Sequence, residues 1–127
     1  MSVKIISVAK QLPDYTKETK DIIPFVKLWM RNQDERFQRK VLKLFEGAGV
    51  DRRYSIMDPK EVFFNSSFEE KNKIYVREVK KIAKQALQKS LEKSNLNPTD
   101  IDYIITVSCT GIMIPSVDAY LINALQM

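Results

Sequence analysis

The hydrophobic positions of the chain form two short runs of strand length, one near each end. β-branched residues dominate Val3–Ala9, and this composition predicts an opening strand. A nearly continuous apolar run covers Ile101–Ser108, as is typical of a strand buried on both faces of a parallel sheet. After it, Ser116 is a candidate cap for a last helix from Val117 to about Leu125. Strands alternating with helices predict an α/β layered fold.

Helical patterns fill most of the chain between those runs. A helical stretch is expected to open at Asp14–Thr16, with Thr16 as its N-cap and Pro24 as an interruption. A clearer helix is predicted from Asp34 to Glu46, because acidic residues suit a helix start and glycines follow its end.

An irregular or extended crossing is expected over Asp51–Asp58, with a short turn or helix starting at Pro59. Ser67 and Glu70 form a capping-box pattern ahead of the longest predicted helix, which runs to about Lys93. Its apolar positions recur at helical spacing: Tyr75, Val79, Ile82, Ala83 and Ala86. Pro98 cannot continue the helical hydrogen bonds, so the helix ends near Asn95–Pro98.

The domain organisation follows from the spacing of the two strands. Two parallel strands separated by about ninety residues leave both sheet edges open. The last helix reaches Gln126–Met127 without a glycine, a proline or a polar tail. We therefore expect residues 1–127 to be the truncated opening part of a larger domain. The alternative is a small protein whose last helix ends there.

Composition supports a globular class. The chain has 127 residues, of which 44% are hydrophobic and 29% charged. No apolar run approaches the length of a membrane helix, and the first residues lack a cleavage-type signal pattern. The sequence predicts a cytoplasmic protein that does not engage a membrane.

The counts of histidine and cysteine exclude several kinds of site. The chain has no histidine and one cysteine, Cys109. It therefore holds no complete Cys-His or Ser-His-Asp nucleophilic site, no internal disulfide and no Cys/His zinc site. We expect no bound metal and no complete catalytic set within these residues.

The net charge of +5 raises the question of nucleic-acid binding. Basic residues are mixed with acidic ones along most of the chain, and aromatic residues do not interleave with them in a stacking pattern. We expect no nucleic-acid partner. A local anionic ligand fits the pattern better.

The strongest cationic feature is the helix predicted from Asp34. Steps of three and four residues place four basic side chains on one face: Arg36, Arg39, Lys40 and Lys43. Four apolar side chains are expected to pack inward from the other side: Phe37, Val41, Leu44 and Phe45. Such a cationic face can hold phosphates by charge-assisted hydrogen bonds. It can also be the solvated face of an amphipathic helix, which spacing alone favours.

Cys109 follows the predicted buried strand, and ligands of α/β sheets gather beyond the carboxyl ends of strands. It can be a pocket-lining residue, a plain core residue or a nucleophile, although no base in this chain could activate it. The next segment, Gly111–Pro115, carries three apolar residues before a proline. It fits a loop buried at a subunit interface or one folded onto its own core, and its Ile-Pro bond can be cis.

Two blocks of the chain resemble type III polyketide synthases, the chalcone-synthase-like enzymes, and especially their bacterial branch. The blocks are RKVLKLFEGAGVDRRYSIM and IDYIITVSCTGIMIPSVDAYLINAL. The resemblance covers the whole chain. It implies a thiolase-like fold, a homodimer, and acyl-CoA starters extended by malonyl-CoA, with no permanently bound cofactor. It also implies that the catalytic Cys, His and Asn lie outside this chain.

The resemblance assigns roles to residues in both blocks. Cys109 and Thr110 match the substrate-cavity positions beside the nucleophile, and Ile114–Pro115 matches the loop that crosses the dimer through a cis bond. Lys40 and Lys43 match positions that hold CoA phosphates.

A third basic position of the family's CoA site falls on Gly47 in this chain, which departs from the plant pattern. Arg39 or Arg53 could compensate for the missing cation.

The resulting hypothesis is a fragment of an acyltransferase that condenses an acyl-CoA starter with malonyl-CoA by decarboxylative Claisen chemistry. By itself the fragment is expected to be inactive. Two alternatives remain: a fragment of a 3-oxoacyl-carrier-protein synthase-type enzyme, and a small non-catalytic ligand-binding or interaction domain.

Overall fold

The computed structural model describes residues 2–64 and 67–127. They form two compact units. One lies between Pro13 and Ser67, and the other combines the first twelve positions with Phe68–Met127.

The unit between Pro13 and Ser67 combines a two-stranded sheet with helices. Its elements in chain order are β1 (Tyr15–Glu18), α1 (Thr19–Trp29), α2 (Glu35–Gly47), β2 (Arg52–Ser55) and α3 (Pro59–Phe64). The short helix expected from Pro59 is confirmed, and the extended crossing over Asp51–Asp58 contains β2.

The start of this unit differs from the prediction. A helix opening at Asp14–Thr16 is wrong, because Tyr15–Glu18 pairs antiparallel with β2 and Thr16 lies opposite Tyr54. The helix begins at Thr19, after Glu18 as N-cap. The pairing joins residues far apart in sequence, so the local pattern at Thr16 does not reveal it.

The core of this unit is one face of α1. Ile22, Val26 and Met30 recur every four residues and are 7%, 1% and 0% exposed. Pro24 lies inside α1 rather than interrupting it, which corrects the prediction. Pro24 is exposed, on the side opposite this face. The lost backbone hydrogen bond therefore faces water, while the buried face stabilises the helix.

Helix α2 begins where it was predicted to begin. The Asp34 side chain accepts a hydrogen bond from the Phe37 backbone N–H at 2.9 Å, which is an N-cap. The helix ends at Gly47, and Gly49 has a φ of +61°, in the left-handed region that suits glycine.

The other unit is built on the long helix α4 (Phe68–Ser94), followed by a 3₁₀ turn (Pro98–Asp100) and α5 (Val117–Leu125). The bounds of α4 and α5 agree with the prediction. Tyr75 and Leu91 are the buried residues of α4, and Leu121 is the buried residue of α5. Capping of α4 by Ser67 and Glu70 stays a prediction.

The two predicted strands of this unit are not formed among the described residues. Neither Val3–Ala9 nor Ile101–Ser108 has a paired strand. The expectation of burial on both faces of the second segment is wrong, since Tyr103, Ile105 and Val107 are 82% or more exposed. A strand buried on both faces needs a packing layer over each face, and the described residues leave the face of Tyr103, Ile105 and Val107 uncovered.

Residues near the start of the chain run along α4 instead. The Ser7 hydroxyl donates to the Ser90 carbonyl at 3.0 Å, and the Lys93 ammonium donates to the Val8 carbonyl at 3.1 Å. These bonds attach the first segment to the carboxyl-terminal half of α4.

Candidate functional site

The basic side of α2 is the first candidate site. Asp34 fixes the start of the helix, and the steps along it place the four predicted cations on one exposed side, Arg36, Arg39, Lys40 and Lys43. The Arg39 guanidinium lies 3.6 Å from the Glu35 carboxylate, with both side chains largely exposed. Ion pairs this exposed contribute little, so Arg39 remains available to a ligand.

The opposite side of α2 packs on the core of its unit. Val41, Leu42 and Phe45 lie against the α1 face. The prediction that Phe37 and Leu44 pack inward is wrong, since they are 40% and 72% exposed. At about 100° per residue, both lie at the flank between Val41 and the lysines, whereas Phe45 lies near the centre of the packed side.

Arg53 is held on the packed side of α2 rather than among the lysines. Its guanidinium carbon is 4.8 Å from the centroid of the Phe45 ring, and its Nε donates to the Thr19 hydroxyl at 3.2 Å. Phe45 projects from the side of α2 opposite Lys40 and Lys43. The predicted phosphate-binding residues therefore divide into an exposed group on α2 and a single anchored arginine on β2.

Thr19 holds Arg53 and is a residue that the sequence analysis missed. It is 8% exposed. Its hydroxyl donates to the Val50 carbonyl, and its backbone N–H donates to the Asp51 carbonyl at 2.7 Å. These partners lie more than thirty positions away, so no local signal in the sequence could have identified it.

The second candidate site is the loop after Ile101–Ser108, in the other unit. Cys109 is a free, exposed cysteine. The peptide bond between Ile114 and Pro115 is cis, which confirms the geometry allowed by the sequence. Ile114 is 91% exposed, so this apolar side chain has almost no cover among the described residues. Among the described residues, Ile114 therefore does not pack onto the core of its unit.

Two side chains of α4 contact this loop. Asn72 makes two hydrogen bonds with the backbone of Ile112, and the Tyr75 hydroxyl donates to Ser108 Oγ at 2.7 Å. The Thr110 backbone N–H lies 3.4 Å from the same Ser108 oxygen. The loop that carries Cys109 and Thr110 is therefore attached to α4 on both sides of the cysteine.

Helix α5 follows the loop and begins after Ser116. The Ser116 side chain makes no capping bond to the helix backbone. Its hydroxyl instead donates to the Asp118 carboxylate and, with weaker contributions from Thr106 and the helix backbone, lowers the pKa of Asp118 below its ordinary value.

Two further observations concern metals and membranes. Among the described residues, no group of three or more His, Cys, Asp or Glu side chains could hold a metal ion. In the same part of the chain, no helix has the length and apolarity needed to cross a membrane.

Comparison with known proteins gives these sites a context. No family model matches the chain. It is 43% identical over 82 residues to 1,3,6,8-tetrahydroxynaphthalene synthase of Streptomyces coelicolor, covering 65% of this chain and 22% of that protein. It is 29% identical over 85 residues to phloroglucinol synthase of Pseudomonas fluorescens, covering 67% of this chain and 24% of that protein.

The solved structure of the Streptomyces coelicolor enzyme, a bacterial type III polyketide synthase, superposes with a TM-score of 0.80 at 32% identity, over 93% of this chain and 33% of that one. The chain belongs to the type III polyketide synthase family. Its thiolase-like fold, predicted from the resemblance, is confirmed as a partial fold. The chain spans between about a fifth and a third of the length of these type III polyketide synthases.

Proposed function

We propose that the chain is part of a condensing acyltransferase that joins an acyl-CoA starter to malonyl-CoA. In this proposal it contributes a CoA-binding surface, a cavity wall and a loop that meets a second subunit. The observation that carries the proposal is the superposition on a type III polyketide synthase over 93% of this chain, with a TM-score of 0.80.

The reaction that we propose for the whole enzyme proceeds in balanced steps. An acyl group passes from CoA to a cysteine thiolate and the CoA thiolate leaves. Malonyl-CoA loses CO₂, and the electron pair of the broken bond becomes an enolate. The enolate carbon attacks the acyl thioester, a carbon–carbon bond forms, and the cysteine thiolate is released. No resident cofactor is required.

The nucleophile, histidine and asparagine of this reaction are assigned to residues outside the 127 of this chain. The chain contains no histidine, so a cysteine within it has no imidazole base to accept its proton. Cys109 and Thr110 serve as cavity-wall residues in this proposal. The isolated chain is accordingly expected to be inactive.

The CoA-binding surface is the exposed side of α2. Lys40 and Lys43 are one turn apart and solvent-exposed, so both ammonium groups can reach phosphate oxygens of one ligand. Arg39 lies on the same exposed side of α2. It can supply the third cation of the CoA site, because the position that is basic in the family is Gly47 in this chain. Arg53 stabilises α2 from the side opposite Lys40 and Lys43, by stacking on Phe45.

The subunit contact is assigned to the loop around Ile114. A side chain of this size that is 91% exposed leaves apolar area in water, and association of two copies would remove it. We propose a homodimer in which Ile114 and Pro115 face the partner's cavity.

Calorimetric titration of the chain with CoA tests this function at α2. Replacing both lysines, Lys40→Gln with Lys43→Gln, is expected to weaken binding about tenfold, because charge-assisted hydrogen bonds to the phosphates are lost. The matched control is Lys27→Gln with Lys60→Gln, which removes the same charge from exposed positions of the same unit. Equal weakening by the two pairs, or no CoA binding, would contradict the proposed CoA site.

A further inference from the structure

The loop between Ser108 and Pro115 carries the residues assigned to the cavity wall and to the subunit contact, yet it contains no helix or strand of its own. Its conformation therefore depends on what holds it. Two side chains one turn apart on α4, Asn72 and Tyr75, make the contacts that fix it.

Asn72 binds one residue of the loop through both ends of its amide. Its Nδ2 donates to the Ile112 carbonyl at 2.9 Å, and its Oδ1 accepts from the Ile112 backbone N–H at 2.8 Å. Two antiparallel bonds to one peptide residue are the pattern that neighbouring antiparallel strands exchange. A pair of such bonds restricts rotation of the loop as well as its distance from α4.

Tyr75 fixes the loop on the other side of Cys109. The Tyr75 side chain is 8% exposed, and its hydroxyl donates to Ser108 Oγ at 2.7 Å. The Tyr75 ring is so near Gly111 that a Cβ built there would lie 2.3 Å from Cδ1. The ring thus packs directly on the loop backbone, which only a glycine permits.

We propose that Asn72 and Tyr75 are positioning residues, which hold the Ser108–Pro115 loop so that Cys109 and Ile114 keep fixed places. The roles assigned to Cys109 and Ile114, in the cavity wall and the subunit contact, rest on the proposed function. The anchoring rests only on the contacts between α4 and the loop.

The test uses the 127-residue chain and three variants. Asn72→Ala removes the amide pair, and Tyr75→Phe removes the hydroxyl while keeping the ring. Asn123→Ala is the matched control, because the Asn123 amide donates to the Ala119 carbonyl of its own helix and has no other hydrogen bond among the described residues. Alanine has a higher helix propensity than asparagine, so Asn72→Ala does not weaken α4.

Two readouts follow the loop directly. Amide hydrogen exchange reports the bond from the Ile112 N–H, and a nitroxide spin label on Cys109, the single cysteine of the chain, reports local motion. Asn72→Ala is expected to raise the exchange rate of the Ile112 amide about tenfold and to sharpen the nitroxide spectrum. Tyr75→Phe is expected to sharpen the spectrum while Ile112 stays protected. The control is expected to change neither.

The proposal is overturned if Ile112 exchange in Asn72→Ala stays within about twofold of the unsubstituted chain, or if neither variant changes the nitroxide spectrum. It is also overturned if exchange rises equally throughout α4, because the helix would then have unfolded rather than released the loop. None of these readouts involves CoA or condensation. Failure of the lysine titration therefore leaves the anchoring intact, and failure of the anchoring leaves the CoA site intact.

Discussion

Gly111 lies against the ring of Tyr75 with no space for a side chain. A Cβ at this position would be 2.3 Å from Cδ1 and 2.4 Å from Cγ of that ring. A buried aromatic ring cannot move aside as the end of a flexible side chain can, so the loop backbone must shift instead.

Gly111→Ala is therefore expected to destabilise the chain by about 1–3 kcal/mol, as overpacking does. Urea unfolding followed by circular dichroism measures it. Gly47→Ala is the control, because nothing lies within 4 Å of the added Cβ and the position is helical. Equal stabilities of the two variants would show that the loop accommodates the methyl group.

The pKa of Asp118 depends on the hydrogen bonds made at the start of α5. Its pKa is lowered, chiefly because the Ser116 hydroxyl donates to the ionised carboxylate. A lowered pKa in the folded state means that the contribution to stability is present at neutral pH. It is lost as the pH falls through the pKa of the folded state.

Ser116→Ala is expected to raise the pKa of Asp118 toward its ordinary value, and an NMR titration of the Asp118 carboxyl carbon measures it. Thr106→Val is the companion variant, since Thr106 Oγ1 is 3.3 Å from Asp118 Oδ1 and lowers the pKa less than Ser116 does. A larger shift in Thr106→Val than in Ser116→Ala would contradict this account of the site.

At the scale of elements, the junction of β1 and α1 depends on Thr19. Its hydroxyl is shared between the Val50 carbonyl and the Arg53 side chain, and the residue is buried. This arrangement joins the start of α1 to β2 through hydrogen bonds that are partly buried.

Thr19→Val keeps the shape of the side chain and leaves these partners unpaired, so it is expected to cost about 1–3 kcal/mol of stability. Thr16→Val, an exposed position on β1, makes the same chemical change and is expected to stay within about 0.5 kcal/mol. Thermal unfolding of both variants measures the two losses of stability. Similar melting temperatures would mean that the shared hydroxyl contributes little.

The elements that the sequence predicts well are those with local signals. Helix α2 has Asp34 at its start and glycines at its end, and α4 ends where Asn95 takes a left-handed φ of 55° before Pro98. Strand β1 was missed because its partner lies beyond α2 in the sequence. Residues 101–108 were wrongly expected to be buried, because an apolar run does not reveal whether other parts of the chain cover it.

At the scale of the whole molecule, the candidate residues fall into two units. The exposed lysines of α2 belong to one unit, and the loop of Cys109 and Ile114 belongs to the other. Helical spacing predicts the exposed group on α2. The position of Arg53 against Phe45, and the hold of Asn72 on Ile112, require the folded chain because each contact joins distant residues.

We propose that the chain binds CoA thioesters on α2 but does not carry out the condensation reaction. One NMR experiment with ¹³C-labelled malonyl-CoA tests both parts, because it follows the backbone amides of the chain and the malonyl carbons of the ligand together. We expect changes in backbone amide chemical shifts centred on Arg39, Lys40 and Lys43, with the malonyl signal unchanged over hours. Conversion of malonyl-CoA to acetyl-CoA by the chain alone, or shifts that leave α2 unaffected, would contradict it.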